Sequence, residues 1–275
     1  MKLPVIETIR SAFHFFWDHR IQFFNLALPP VVILAILNSL VWPSNYFESN
    51  FAHFELDSST SPSEIIAVIG SLTFFSGLLS IVLMIAVFSL YSVAWHRSFM
   101  LPGEDITIRE CYRWQVRHWI FLWSNIKIFL LIIPIGVAGF ALSVASLIFA
   151  PIVMILVMFF TAICYARFSM WLPAAAMDHQ LTLNQVLTLT KGNGWQLAAI
   201  LILTAIATGI LDFFASVAIG QAANSLGVVG ELSVSLLSNL VFLLVTYAGM
   251  AIGISALSIA YQFLTKQSQF KQPAP

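Results

Sequence analysis

Apolar residues in this chain gather into long runs, and polar residues collect in the gaps between them. The runs cover roughly 21–41, 66–94, 120–141, 150–171, 196–219 and 235–262. At about 1.5 Å of rise per residue, each reaches across about 30 Å of hydrocarbon. The pattern therefore predicts an all-α polytopic membrane protein with six transmembrane helices. The second and sixth runs are long enough to tilt in the bilayer or project from it. From Trp119 to Trp171 the chain is nearly continuous oil, broken by Gly136, Gly139, Ser143, Ser146 and Pro151. One helix of that length would overshoot any bilayer, so a tight reversal is expected near Ser146–Pro151.

Three of the gaps carry similar strings: TIRSAFHFFWDHRIQFF from Thr8, TIRECYRWQVRHWIFLW from Thr107 and TLNQVLTLTKGNGWQLA from Thr182. Each leads into an odd-numbered span. The preceding spans end alike, with Tyr91 and Arg97, then Tyr165 and Arg167, and more loosely Tyr261 and Lys266. The pattern reads as an internal threefold repeat of one interfacial amphipathic helix followed by a transmembrane hairpin. The repeat units cover about 5–95, 104–171 and 180–262, within a single integral membrane domain over 1–265 and ahead of a polar cytoplasmic tail at 266–275. Thr107 with Glu110, and Thr182 with Gln185, fit a capping box. Arg109, Arg113 and Arg117 recur every four residues and are expected on one helix face, turned toward water or lipid phosphate. KGNG at 191–194 reads as a helix end, with Gly192 or Gly194 at positive φ. Plain duplication accounts for the repeat, and so does a set of copies around a common cavity.

Composition narrows the class further. The chain is 60% hydrophobic and 9% charged, against about 25% charged in soluble domains. Its 24 phenylalanines and 8 tryptophans suit lipid and its interfaces. Formal net charge is zero, which gives no reason to expect a nucleic-acid partner. The segment before Arg20 does not read as a secretory leader, so the first run is expected to be an uncleaved start of insertion.

Charge supplies the direction. Eleven of the twelve basic residues lie in one alternate set of gaps: Lys2, Arg10, Arg20, Arg97, Arg109, Arg113, Arg117, Arg167, Lys191, Lys266 and Lys271. The gap from Trp42 to Glu64 holds Glu48, Glu55, Asp57 and Glu64 but no cation, and Gln221–Val234 holds only Glu231. The positive-inside rule places the basic side, and both termini, in the cytoplasm. Trp17, Trp95, Trp114, Trp119, Trp171 and Trp195 are expected to band at that interface, with Trp42 at the other. Cys111 and Cys164 then fall in cytoplasmic or inner-membrane positions, and no structural disulfide between them is expected.

Several polar groups in or beside the oil are candidate contacts for a headgroup or substrate. Arg97 and Arg167 hold equivalent positions at the ends of the second and fourth spans. They read either as topology anchors or as a clamp on an anionic group. Arg109, Arg113 and Arg117 join them as headgroup candidates. Lys127 sits inside the third span, where it can snorkel to the headgroups or line a path. Asp212 lies in the fifth, where a carboxylate is costly and is a site hypothesis by default. Asn38, Asn125 and Asn239 read as interhelical hydrogen-bond donors. His96 reads as interfacial. Pro29, Pro30 and Pro134 are candidate kinks. Gly70, Gly77, Gly136, Gly139, Gly249 and Gly253 allow close helix approach, and Gly249-x-x-x-Gly253 matches a small-xxx-small pattern. Glu104–Asp105 and Asp178–His179 read as turns, and GVVG at 227–230 has no nucleotide context.

No metal-binding, nucleophile-elbow or phosphate-loop motif occurs. The expectation is a protein that is not an enzyme, takes no cofactor and binds no metal. Its expected partners are membrane lipids, with a membrane-protein partner or a second copy of the chain also open. Scaffolding, envelope maintenance or lipid interaction is the leading function, and a small-solute or lipid transporter component is the alternative.

AWHRSFMLPGED at 94–105 and YARFSMWLPAAAMD with TLNQVLTLTKGNGWQL within 165–197 resemble uncharacterised proteobacterial inner-membrane proteins. These are distantly similar to YciC-like proteins and to the membrane domain of glycerophosphoryl diester phosphodiesterases. The resemblance implies a six-helix protein of the bacterial inner membrane. It carries no catalytic role here, because the chain has no room for the enzymes' catalytic barrel and lacks its acidic and histidine motifs.

Overall fold

The computed structural model describes residues 2–41, 72–101, 107–145, 148–225 and 231–270. The acidic gap from Trp42 to Glu64, Gly70, Pro102, Glu104, Asp105, Ser146, GVVG at 227–230 and Lys271 lie outside the described residues. Among the described residues all regular structure is helical. The helices are α1 (Val5–Asp18), α2 (Arg20–Val41), α3 (Leu72–Met100), α4 (Ile108–Cys111), α5 (Val116–Ala145), α6 (Ala150–Phe168), α7 (Trp171–Ala176), α8 (Leu183–Leu189), α9 (Gly194–Ser225) and α10 (Glu231–Phe270).

Among the described residues six stretches are long and apolar enough to cross a membrane: Arg20–Ser39, Gly77–Met100, Val116–Ala145, Ala150–Ala176, Gly194–Ile219 and Leu236–Gln267. They match the six expected runs, and most extend further toward the basic gaps. The reversal between the third and fourth falls where expected. A turn at Ile148–Phe149 leads into α6, and Pro151 occupies its first turn, where a missing N–H costs nothing. Pro29, Pro30 and Pro134 all sit inside continuous helices.

The short helices follow local chemistry. Thr107 and Thr182 are N-caps, each with a complete capping box. The threonine Oγ accepts from the N–H of Glu110 or Gln185, and that side chain accepts from the threonine N–H. The first string departs from this pattern. α1 begins at Val5, so Thr8 lies inside the helix and donates its hydroxyl to Pro4 O at 2.7 Å. α4 lasts only to Cys111, and the chain turns before α5 starts at Val116. Arg109, Arg113 and Arg117 therefore fall on a one-turn helix, a turn and a spanning helix, and the expected common face does not exist. An every-four spacing fixes a face only while the helix continues.

Helix packing divides the chain into two compact units. One comprises Met1–Arg20, Ser89–Ala207 and Gly249–Pro275, and the other Ile21–Phe88 and Thr208–Ala248. In the second unit Phe23, Leu26, Val31 and Leu34 are buried along α2, and Leu243 and Tyr247 along α10. Asn239 Nδ2 donates to Ser39 Oγ at 3.0 Å, the interhelical role expected of it. Asn125 instead donates to Phe121 O on its own helix.

In the first unit α5 packs on α6 and α7, and α6 packs on α8. The hairpin closes tightly at Gly139, where a Cβ would lie 2.5 Å from Val157 Cγ1. Gly253 has nothing within 4 Å of that position, so its place in the small-xxx-small string reflects no close approach. Trp95 is fully buried, with Nε1 donating to Ala251 O at 2.8 Å and to Ser255 Oγ at 3.0 Å. It is a core residue and Trp171 is buried as well, which departs from the expected band, whereas Trp17, Trp119 and Trp195 are exposed. The indole of Trp95 satisfies its N–H inside the bundle, so it needs no water.

Candidate functional site

Most of the candidate residues belong to the first unit, and the structure gives them separate tasks. α7 ends in a Schellman motif. His179 N donates to Ala174 O at 2.9 Å and Asp178 N to Ala175 O at 3.1 Å, with Asp178 at φ 61°. Aspartate tolerates this left-handed position better than bulkier residues do. Arg97, at the end of α3, lies 3.5 Å from Asp178 Oδ2 through Nη1, which also donates to Ala176 O at 3.4 Å. Arg117, near the start of α5, lies 3.8 Å from Asp178 Oδ1 through Nε. One carboxylate thus joins three elements, and what read as a plain turn is a tie point. Asp178 is 52% exposed and both contacts are long, so each pair is worth about 0–1 kcal/mol.

Arg167 makes its contacts elsewhere. Its Nε donates to Thr190 Oγ1 at 2.9 Å and its Nη2 to Leu187 O at 2.9 Å. These bonds cap the C-terminal end of α8, whose last carbonyls have no helical partner. The Arg167 stem fills the space beside Gly194, where a Cβ would meet Arg167 Cδ at 3.3 Å. Equivalent places in the sequence thus yield different partners, and both arginines are tied to protein groups.

Arg109 and Arg113 are exposed. Lys127 lies with Nζ 5.6 Å from the Trp171 ring centroid, a cation–π contact that keeps its charge inside the first unit. Trp171 is itself fixed by donating Nε1 to Leu181 O at 2.9 Å. Asp212 belongs to the second unit. Its Oδ1 is buried and has no hydrogen-bond partner among the described residues.

Three features escaped the sequence reading. His96 is 1% exposed rather than interfacial, with Nδ1 2.8 Å from Ser258 Oγ. Ser258 donates its only hydroxyl proton to Ile254 O, so it accepts from Nδ1–H. His96 Nε2 is then a bare acceptor with no partner among the described residues. A helical spacing signal existed, since Ser92 and His96 lie one turn apart on α3 and Ser255 and Ser258 one turn apart on α10. Secondly, Cys111 is buried, and burial pushes its thiol up to about 12. Little of the reactive thiolate form is then present at neutral pH. Cys111 and Cys164 are both free. Thirdly, Asn193 Oδ1 accepts from Leu3 N at 2.9 Å in a buried bond. That bond pins the N-terminal segment to the KGN turn, whose bend places Gly192 at φ 80°.

Among the described residues no group of three metal-ligating side chains forms a cluster. No protein-family model, curated protein or solved structure matches the chain.

Proposed function

We propose that this chain is a structural, lipid-interacting protein of the bacterial inner membrane, without enzymatic activity and with both termini in the cytoplasm. The observation that carries the reading is the contrast between bound and free cations beside a poorly covered hairpin. Arg97, Arg117 and Arg167 contact protein groups, whereas Arg109 and Arg113 stand exposed on the segment leading into α5. Only 17% of the third span and 11% of the fourth are buried within the protein, against 44% of the second and sixth. A hairpin so bare is covered by lipid, and cations at its start meet headgroup phosphates. The one-sided charge count supports the orientation. The shared capping boxes at Thr107 and Thr182 support copies of one interfacial unit. The strings at 94–105 and 165–197, with their resemblance to bacterial inner-membrane proteins, agree with this reading.

Replacing both arginines, Arg109→Gln with Arg113→Gln, should lower the anionic lipid retained by the purified protein severalfold and leave insertion unchanged. Native mass spectrometry of retained phosphatidylglycerol checks this, and equal retention rules the reading out.

Asp212 favours a second reading, a path for a small solute, because an intramembrane carboxylate with one buried oxygen left without a partner among the described residues is costly to keep. In that case Asp212→Asn, present at normal protein levels, should fail to restore a solute whose cellular level shifts in a deletion strain. Full restoration in metabolite profiles removes Asp212 from any path.

A further inference from the structure

The first unit holds a cavity of about 930 Å³ between α8, the KGN turn, the N-terminal segment and the last turns of α10. Two of its lining residues are lysines, Lys2 and Lys191, both exposed. Neither has an ion-pair partner among the described residues, and no carboxylate among those residues lines the cavity. Two like charges that share a cavity without a counterion raise its potential and favour an anion. Their meeting is built into the fold. Lys191 precedes the positive-φ turn at Gly192, and the buried bond from Leu3 N to Asn193 Oδ1 holds the next residue after Lys2 against that turn. Asn184 and Thr188 add neutral hydrogen-bonding groups from α8, while Tyr261 and Leu264 form an apolar wall from α10. The volume suits an organic molecule rather than a bare ion.

We propose that this cavity binds an organic phosphate. Its anionic group sits between Lys2 and Lys191, and its organic body lies against Tyr261 and Leu264. The proposal does not rest on Arg109 or Arg113. The same phosphate chemistry belongs to an anionic lipid headgroup and to a soluble phosphate ester.

The test uses the full chain in phosphatidylcholine nanodiscs and calorimetric titration, with empty nanodiscs subtracted. Phenyl phosphate is the soluble probe, and dihexanoyl phosphatidylglycerol is the lipid probe. At least one should bind saturably at a single site. Lys2→Gln and Lys191→Gln should each weaken it about tenfold, as expected for loss of a charge-assisted contact. The double variant should show no binding. Lys266→Gln, exposed nearby in the chain but outside the lining, should bind as the wild type does. Binding of phenyl phosphate assigns the cavity to soluble ligands, and binding of the lipid alone assigns it to headgroups. Failure of both probes to saturate overturns the proposal, as does a double variant that binds like the wild type. Equal weakening by Lys266→Gln also overturns it, since that would be a general charge effect. The Arg109 and Arg113 variants leave this binding intact, so the two readings fail separately.

Discussion

Gly139→Ala should destabilise the protein by about 1–3 kcal/mol, the usual cost of overpacking a close contact. The added Cβ would lie 2.5 and 2.6 Å from the two Val157 methyl groups and 3.0 Å from Val157 Cβ. Real carbon contacts do not come so close, so something must move. Valine has little freedom to oblige, because its branched side chain holds one strongly preferred rotamer in a helix. The strain therefore passes to the α5 and α6 backbones. Shortening the other side should relieve it: Val157→Ala alone creates a small deficit, and Gly139→Ala with Val157→Ala should recover most of the loss. Thermal unfolding of the four proteins in one detergent measures the cycle. Without recovery in the double variant, the close approach at Gly139 is not what holds the hairpin. Gly136, three residues earlier, has nothing within 4 Å and should accept alanine at little cost.

Arg167→Ala should cost about 2–4 kcal/mol, because it removes two hydrogen bonds from a charged donor and leaves the Leu187 carbonyl without that partner. Lysine should rescue little of it. A guanidinium reaches Thr190 and Leu187 at once through different nitrogens, whereas an ammonium is a single point donor. The loss should also couple to Thr190→Val by at least about 0.5 kcal/mol in a double-mutant cycle. Thr190 is buried and its hydroxyl donates to Val186 O at 2.8 Å, so it is firmly placed to accept from Arg167 Nε. In the Arg167→Ala background, Gly194→Ala should become harmless, since the stem that crowds it is gone. The readout is again the unfolding midpoint. A lysine variant as stable as the wild type would overturn this capping role for Arg167.

These residues separate what was legible from what was not. The spans, the reversal before Pro151 and the capping boxes could be read because each depends on neighbours a few residues away. A long apolar run specifies its own helix, and a threonine three residues before glutamate or glutamine supplies both halves of the cap. A local rule misleads where the element it assumes is broken. The arginine stripe assumed a helix that ends at Cys111, and the placement of Trp95 and His96 at an interface assumed that polar atoms near a span end face water. Gly253 in Gly249-x-x-x-Gly253 makes no close approach, since small residues permit one without requiring it.

The sequence by itself determined the class: hydrophobic length and local caps set six apolar spans and most of their ends. Only the tertiary structure decided the partners. Leu3 reaches Asn193 across 190 positions, and His96 reaches Ser258 across 162. No local pattern encodes such pairs. Most buried polar groups find a partner, and many residues of the right chemistry are available. Which one it meets depends on how the helices pack, and that packing also sets the two lysines around one cavity.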